Sequence, residues 1–313
     1  MTNTASVTIP ETTLDVYPLC LGGNVFGWSA DESQSQAVLD KYTELGGDFI
    51  DTADVYSDWV AGNVGGESEV IIGNWLKARG NRHQLVIATK VAKLSTRPGL
   101  RPENIIAACN ESLQRLQTDH IDLYYSHYDD KEVPIAETLG AYQTLISEGK
   151  IRYIGASQHT ASRLQEAIDI ATKENLPKYV VLQDEYNLVF RDPFESEQQE
   201  VLKANNISAI PYCGLARGFL TGKYRPGVSV DSVRASAVVD YQNDHGYGVI
   251  AALGTIAKSH NLSISAIALA WLRANPQVST PIASARTVEQ LLEIMKVVEL
   301  ASDEVALLNK VSR

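Results

Sequence analysis

Short β-branched runs and segments with apolar residues three and four apart take turns along the whole of this 313-residue chain. The runs at 16–21, 48–52, 84–89, 121–126, 153–156, 179–183, 207–212 and 278–282 read as strands. Residues 34–45, 69–78, 102–116, 134–146, 162–171, 195–204, 249–259, 264–273 and 288–297 read as helices. Two of these open on a proline, Pro102 and Pro134, which suits a first helical turn. Strands that alternate with helices must run parallel, joined by right-handed crossovers. Eight such units predict an α/β fold of the closed (β/α)8 type, a TIM barrel. The rival architecture is an open doubly wound sheet, which normally places a GxGxxG turn after its first strand. Here that strand runs into Leu21-Gly22-Gly23-Asn24-Val25-Phe26-Gly27, and the motif occurs nowhere in the chain. No linker, charge block or repeat divides the sequence, so residues 1–313 read as a single domain. One irregular stretch stands out, the loop at about 213–248, rich in Gly, Ser, Arg and Tyr. Loops of that length in a compact domain are usually functional.

Composition removes several classes of function. A net charge of −11 argues against non-specific binding to nucleic acid or to an anionic membrane surface. Any anionic ligand must therefore be held by local basic groups. Cys20, Cys109 and Cys213 are far apart, with no CxxC pair and no neighbouring histidine, so neither a disulfide framework nor a metal site is expected. Residues 1–10 are polar, and no apolar run is long enough to span a bilayer. The expectation is a cytoplasmic protein with neither nucleic acid nor membrane as a partner.

In a barrel of this type, chemistry gathers at the C-terminal ends of the strands. Asp51 closes the second strand and Tyr56 lies in the loop after it; Lys90 ends the third strand and His127 the fourth. Consecutive barrel strands are neighbours, so these groups can converge. A buried lysine needs a counter-charge, and Asp51 is placed to supply it. Lys90 is expected to stabilise tyrosinate and so lower the acidity constant of Tyr56. Such a tyrosine can protonate a carbonyl oxygen while His127 gives that oxygen a second hydrogen bond. The set holds no activated nucleophile and no metal-binding cluster, which leaves hydride from a nicotinamide as the simplest attacking group.

With these residues in place, the chain resembles the aldo-keto reductase family, from about residue 14 to residue 300. The resemblance implies that Asp51, Tyr56, Lys90 and His127 are the catalytic set, with Tyr56 the general acid/base. Gly65-Gly66-Glu67-Ser68-Glu69 is similar to the family's Gly-x-Ser-Glu helix start, and Gly155-Ala156-Ser157-Gln158 to its Gly-x-Ser-Asn turn. By that likeness Ser157, Gln158 and Gln183 take the nicotinamide carboxamide, and Tyr212 takes the ring. Gly214, Leu215, Arg217, Gly218 and Lys223 resemble the loop that wraps the pyrophosphate, where cations and backbone amides suit phosphate oxygens. The run from Gly218 to Tyr224 is not a P-loop, having three residues between its glycines and no Ser or Thr after Lys223. Ser284, Arg286 and Gln290 resemble the adenosine end of the site, with Ile294 in place of the family's usual Asn. A guanidinium gives bidentate donors to a phosphate, so Ser284 and Arg286 favour NADPH over NADH.

The implied activity is reduction of small aldehydes or ketones, or oxidation of the corresponding alcohols. Two other readings remain at this point. Lys90 could form a Schiff base as in a lyase, or the chain could be a redox-sensing regulatory subunit of the potassium-channel β type. The substrate rim is expected from residues 26–28, 58–60 and 128–130 and from the region beyond Tyr224, with Trp28 and Trp59 as walls. Asp129 and Asp130 are expected to favour hydroxyl-bearing substrates.

Overall fold

The computed structural model describes residues 6–192 and 194–313. It opens on an antiparallel hairpin of β1 (Val7–Thr8) and β2 (Asp15–Val16). Eight parallel strands follow: β3 (Cys20–Gly22), β4 (Phe49–Asp51), β5 (Val86–Val91), β6 (Ile121–Ser126), β7 (Ile151–Ser157), β8 (Tyr179–Gln183), β9 (Ser208–Ala209) and β10 (Ile282–Ala283). Each pairs with the next in chain order, and β10 lies beside β3. Closure between β9 and β10 comes from Ala209 N donating to Gln277 O at 2.6 Å, Ser279 N to Ala209 O at 3.0 Å and Ile282 N to Pro211 O at 2.9 Å. The helices α1 (Glu32–Glu44), α2 (Glu67–Arg79), α3 (Pro102–Leu116), α4 (Ile135–Ser147) and α5 (Ala161–Glu174) cover the first half. The second half carries α6 (Gln199–Ala204), α7 (Asp244–His260), α8 (Ile264–Arg273), α9 (Val288–Ile294) and α10 (Ser302–Val311). This is the (β/α)8 barrel that the strand–helix alternation predicts. No helix among the described residues is long and apolar enough to cross a membrane.

The departures from the expected elements have local causes. The run at 16–21 is broken by Pro18, so Val16 belongs to the hairpin and the barrel strand starts at Cys20. The run at 207–212 keeps only Ser208–Ala209 as β9, because Pro211 has no N–H to donate. Tyr212 regains contact through its own N–H, which donates to Asp184 O at 3.0 Å. Likewise the run at 278–282 meets β9 in one bridge, Val278 to Ala209, and forms a named strand only after Pro281, as β10. The segment at 195–204 begins as a π-helical turn, Phe194–Gln198, before α6. The long loop ends at Asn243 rather than 248, where the Asn243 side chain accepts from Gly246 N at 2.9 Å and caps α7. The helix expected at 288–297 stops at Ile294, and α10 was not anticipated.

Two cores result. Cys20, Phe49, Ala88, Leu123, Tyr125, Val181, Ile210 and Ile282 fill the barrel interior, and the hairpin residues Ile9, Leu14 and Val16 pack against them as a floor. Tyr125 needs the space left by Gly155 of β7, where a Cβ would stand 2.4 Å from its ring. The larger core lies between strands and helices and includes Tyr42, Trp75, Tyr124 and Tyr142. With the floor plugged, the open end is the one formed by the C-terminal ends of the strands.

Candidate active site

The chain places its most costly buried charge at that open end. Lys90 sits near the end of β5 with no exposed surface. Its Nζ donates to Asp51 Oδ2 at 2.6 Å, to Thr52 O at 2.8 Å and to Tyr56 OH at 2.9 Å. Three hydrogens thus meet three oxygens, which is the condition for keeping an ammonium in an apolar interior. Asp51 is itself held from the far side of the barrel by Gln183 Nε2, which donates to Oδ1 at 2.9 Å. The Tyr56 loop is fixed by α2: Ser68 Oγ accepts from Thr52 Oγ1 and donates to Gly23 O, both at 2.8 Å. Glu69, fully buried, pairs with Arg115 at 2.6 Å and accepts from Thr89 Oγ1 at 2.6 Å. The Gly-Gly-Glu-Ser-Glu segment therefore ties α2 to β3, β4, β5 and α3.

Electrostatics correct one expectation. Burial, and the Asp51 carboxylate beside it, push the Tyr56 phenol well above its ordinary acidity constant instead of lowering it. Asp51 accepts from Tyr56 OH at 3.4 Å, so the carboxylate favours the protonated phenol. Burial pushes the Lys90 ammonium down, against the opposing pull of Asp51. His127 lies beyond β6 with its ring 6.1 Å from that of Tyr56. Burial, then Lys90 and Lys93, hold its imidazole well below the usual range, so it is neutral at pH 7.

Asp51, Tyr56 and His127 line one cavity of about 630 Å³ at the barrel mouth, with Lys90 directly behind them. Ser157, Gln158, Gln183, Tyr212, Gly214, Leu215, Arg217, Gly218, Lys223, Ser284, Arg286 and Gln290 line the same cavity. Several have partners that the sequence did not reveal. Gln158 adopts φ 54° and gives its amide N–H to His127 O at 3.2 Å. Arg217 is paired with Glu185 at 2.9 Å. Ser284 Oγ donates to Asn24 Oδ1 at 2.6 Å, and Gln290 Oε1 accepts from Arg286 N at 3.0 Å. Gly22, Asn24, Lys93 and Arg234 also line the cavity and were not singled out. Their signal was weak, because long-range packing and not local spacing brings them in.

The rim differs from expectation as well. Asp129 is taken by Arg163 in a two-bond pair at 2.9 Å each, and Asp130 accepts from Leu100 N at 2.8 Å and Glu132 N at 3.1 Å. Neither lines the cavity, so neither is available to substrate hydroxyls. Trp59 does line it, half exposed and edge-on to Trp28 at 5.6 Å and to Tyr56 at 6.3 Å.

The cavity suits an extended anionic ligand. Lys223, Arg234 and Arg286 line it with no carboxylate partner among the described residues. The Ser157 hydroxyl is buried with no hydrogen-bond partner among the described residues, a polar group awaiting one. Gly218, at φ 98°, leaves open backbone with Lys223 Nζ 3.8 Å from where a Cβ would be. A dinucleotide with a phosphate-bearing middle and a polar carboxamide end fits this lining.

A plugged (β/α)8 barrel with a phenol, an ammonium and a carboxylate in hydrogen-bond sequence at its mouth is an enzyme scaffold of the oxidoreductase kind. Residues 18–313 match the model of the Aldo/keto reductase family. The chain is 33% identical over 311 residues to Protein tas of Escherichia coli, covering 90% of each. It is 34% identical over 306 residues to the uncharacterized oxidoreductase YrpG of Bacillus subtilis, covering 94% of this chain and 91% of that one. A putative voltage-gated potassium channel subunit beta of Schizosaccharomyces pombe is 33% identical over 282 residues, covering 86% and 80%. The chain belongs to the aldo/keto reductase family.

Proposed function

We propose that this oxidoreductase is a cytoplasmic enzyme that reduces small aldehydes or ketones, or oxidises the corresponding alcohols, with NADPH preferred to NADH. The observation that carries the reading is the unbroken contact from Asp51 to Lys90 at 2.6 Å and from Lys90 to Tyr56 at 2.9 Å, at the wall of a cavity large enough for coenzyme and substrate. When bound, the reduced nicotinamide supplies the hydride. Ser157, Gln158 and Gln183 would hold its carboxamide, Tyr212 its ring, and Gly214, Leu215, Arg217, Gly218 and Lys223 the pyrophosphate. Ser284, Arg286 and Gln290 would hold the adenosine end, where an unpaired guanidinium favours a 2′-phosphate.

The protein's own part is proton supply and polarisation. Tyr56 is held as a neutral phenol by burial and by Asp51, so its proton is present at neutral pH. As that proton moves to a carbonyl oxygen, negative charge grows on the phenol oxygen, where the Lys90 ammonium already sits at hydrogen-bond distance. The lysine thus acts on the charge that develops in the transition state rather than on the resting acidity. Asp51 keeps Lys90 charged and in place. Neutral His127 offers one N–H to the same oxygen without adding a charge. In the oxidative direction Tyr56 accepts the alcohol proton by the same path. The Schiff-base alternative loses its nucleophile here, because the Lys90 amine is fully buried with all three hydrogens engaged.

The test is coenzyme consumption across a panel of aldehydes and ketones, with wild type beside Tyr56→Phe. The expected loss of turnover is about 10²- to 10⁴-fold, with coenzyme affinity changed by less than about twofold. A phenylalanine variant that keeps its turnover, or a wild type inert to every carbonyl, overturns the reading. The likeness to a channel β subunit supports a second reading, a redox-sensing regulatory subunit. That role requires a stable complex with a channel protein and very slow turnover, which the same assay and a pull-down separate.

A further inference from the structure

The cavity has two arcs with different charge. One arc, from the ends of β7 through β8, β9 and β10 to β3, carries Lys223, Arg234 and Arg286 and faces the dinucleotide of the proposed reading. The other arc, from β4 to β6, carries Tyr56, Trp59, Lys93 and His127. Within this second arc the Lys90 and Asp51 charges cancel, and His127 is neutral. Lys93 is left over. It follows β5 by two residues, is partly buried in the cavity wall, and has no hydrogen bond or ion pair among the described residues. A lysine without such a task extends its ammonium into water. Here burial and neighbouring Lys90 push it below its ordinary acidity constant, against a weaker pull from Asp184. The Asp184 oxygens are already engaged, accepting from Gln198 Nε2 at 2.7 Å and from Glu185 N at 2.8 Å.

An ammonium partly withdrawn from water with no carboxylate in direct contact among the described residues is costly, and an anionic ligand offsets that cost. One ammonium matches one monoanion, whereas a phosphate dianion calls for several donors. Trp59 adds an aromatic wall beside Tyr56. The geometry points to Lys93 as the specificity residue for a carbonyl substrate that carries its own carboxylate, held beside the ring of Trp59. This inference rests on the carbonyl-reductase reading and names the substrate class of that same site.

The experiment compares para-carboxybenzaldehyde with its methyl ester, which keeps the framework and removes the charge. The readout is the ratio of kcat/KM for acid over ester. In wild type the acid is favoured; in Lys93→Met the ratio falls about 10- to 100-fold, mainly through KM for the acid. Lys93→Arg retains the preference and Lys93→Glu reverses it. A wild type that reduces both without preference, or a ratio unmoved in Lys93→Met, overturns the inference and leaves the reductase reading standing. If neither aldehyde is reduced, the reductase reading fails, and binding decides the anion site. Benzoate is then titrated against tryptophan fluorescence in the coenzyme-free protein, with Arg286→Met as the control. Saturable binding weakened about tenfold by Lys93→Met but not by Arg286→Met retains a carboxylate site at Lys93. Binding lost in the Arg286 variant instead, unmoved in both, or absent from wild type removes it.

Discussion

Replacing Lys90 by methionine separates stability from chemistry. The side chain is fully buried, and methionine keeps most of its volume while removing the ammonium. Three acceptors then lose a donor: Asp51 Oδ2, Thr52 O and Tyr56 OH. Asp51 retains Gln183 at 2.9 Å on Oδ1 and Tyr56 at 3.4 Å on Oδ2, which offsets part of the loss. Breaking a buried ion pair from one side costs about 3–5 kcal/mol, so the lower end, about 3 kcal/mol, is expected here. For a chain of this length that corresponds to a fall in Tm on the order of 5 °C. The magnitude comes from stranding a carboxylate, so adding Asp51→Asn to Lys90→Met recovers about 2 kcal/mol. Turnover stays at least about 100-fold down in both variants, because the charge developing on the Tyr56 oxygen has lost its partner. Denaturant unfolding gives the stabilities, and coenzyme absorbance with a good aldehyde gives the rates. A Lys90→Met protein as stable as wild type, or a double variant no more stable than the single one, refutes the reasoning.

Two further outcomes follow from the same geometry. Arg286→Ala weakens NADPH binding by at least about tenfold more than NADH binding, read by fluorescence titration of each coenzyme; equal weakening contradicts the 2′-phosphate assignment. Asp54, buried with neither carboxyl oxygen partnered among the described residues, has its acidity constant pushed up to about 8 by burial and by Glu69. The folded chain holds that proton while the unfolded chain releases it near 3.8, so Asp54 lowers stability as pH rises through that window. Asp54→Asn is therefore more stable than wild type at about pH 7, and the difference shrinks by about 3 kcal/mol on going down to about pH 5. Urea unfolding at both pH values checks this, and a difference that does not move with pH contradicts it.

The parts of the fold that could be read from sequence are those whose signal is local and complete. The strand Ile121–Ser126 and the helices Pro102–Leu116 and Ile264–Arg273 appear with the expected boundaries, because a short run rich in β-branched and aromatic residues, an opening proline and a steady helical period each decide the matter within a few residues. β9 and β10 are shorter than the strand-like runs around them because Pro211 and Pro281 interrupt the pairing. The two-residue strands of the hairpin are too short to show a period, although Ile9 and Val16 close the barrel floor. At the site, Asp51, Tyr56, Lys90 and His127 were placed together by strand order alone. Their electrostatic balance was not legible, because it depends on how deeply Tyr56 is buried and how near Asp51 lies. The pairing of Arg217 with Glu185, 32 residues apart, and of Asp129 with Arg163, 34 residues apart, likewise depends on the folded loops. Lys93 and Arg234 stand out only once their lack of a carboxylate partner is visible.

Transfer of an isotopic label tests the central claim most directly. Reduced dinucleotide carrying deuterium at its transferable position is incubated with the protein and an aldehyde, and the alcohol is examined by mass spectrometry. One deuterium on the carbinol carbon per turnover, abolished together with turnover in Tyr56→Phe, is the predicted result. Alcohol formed without label, or no alcohol formed at all, contradicts the account.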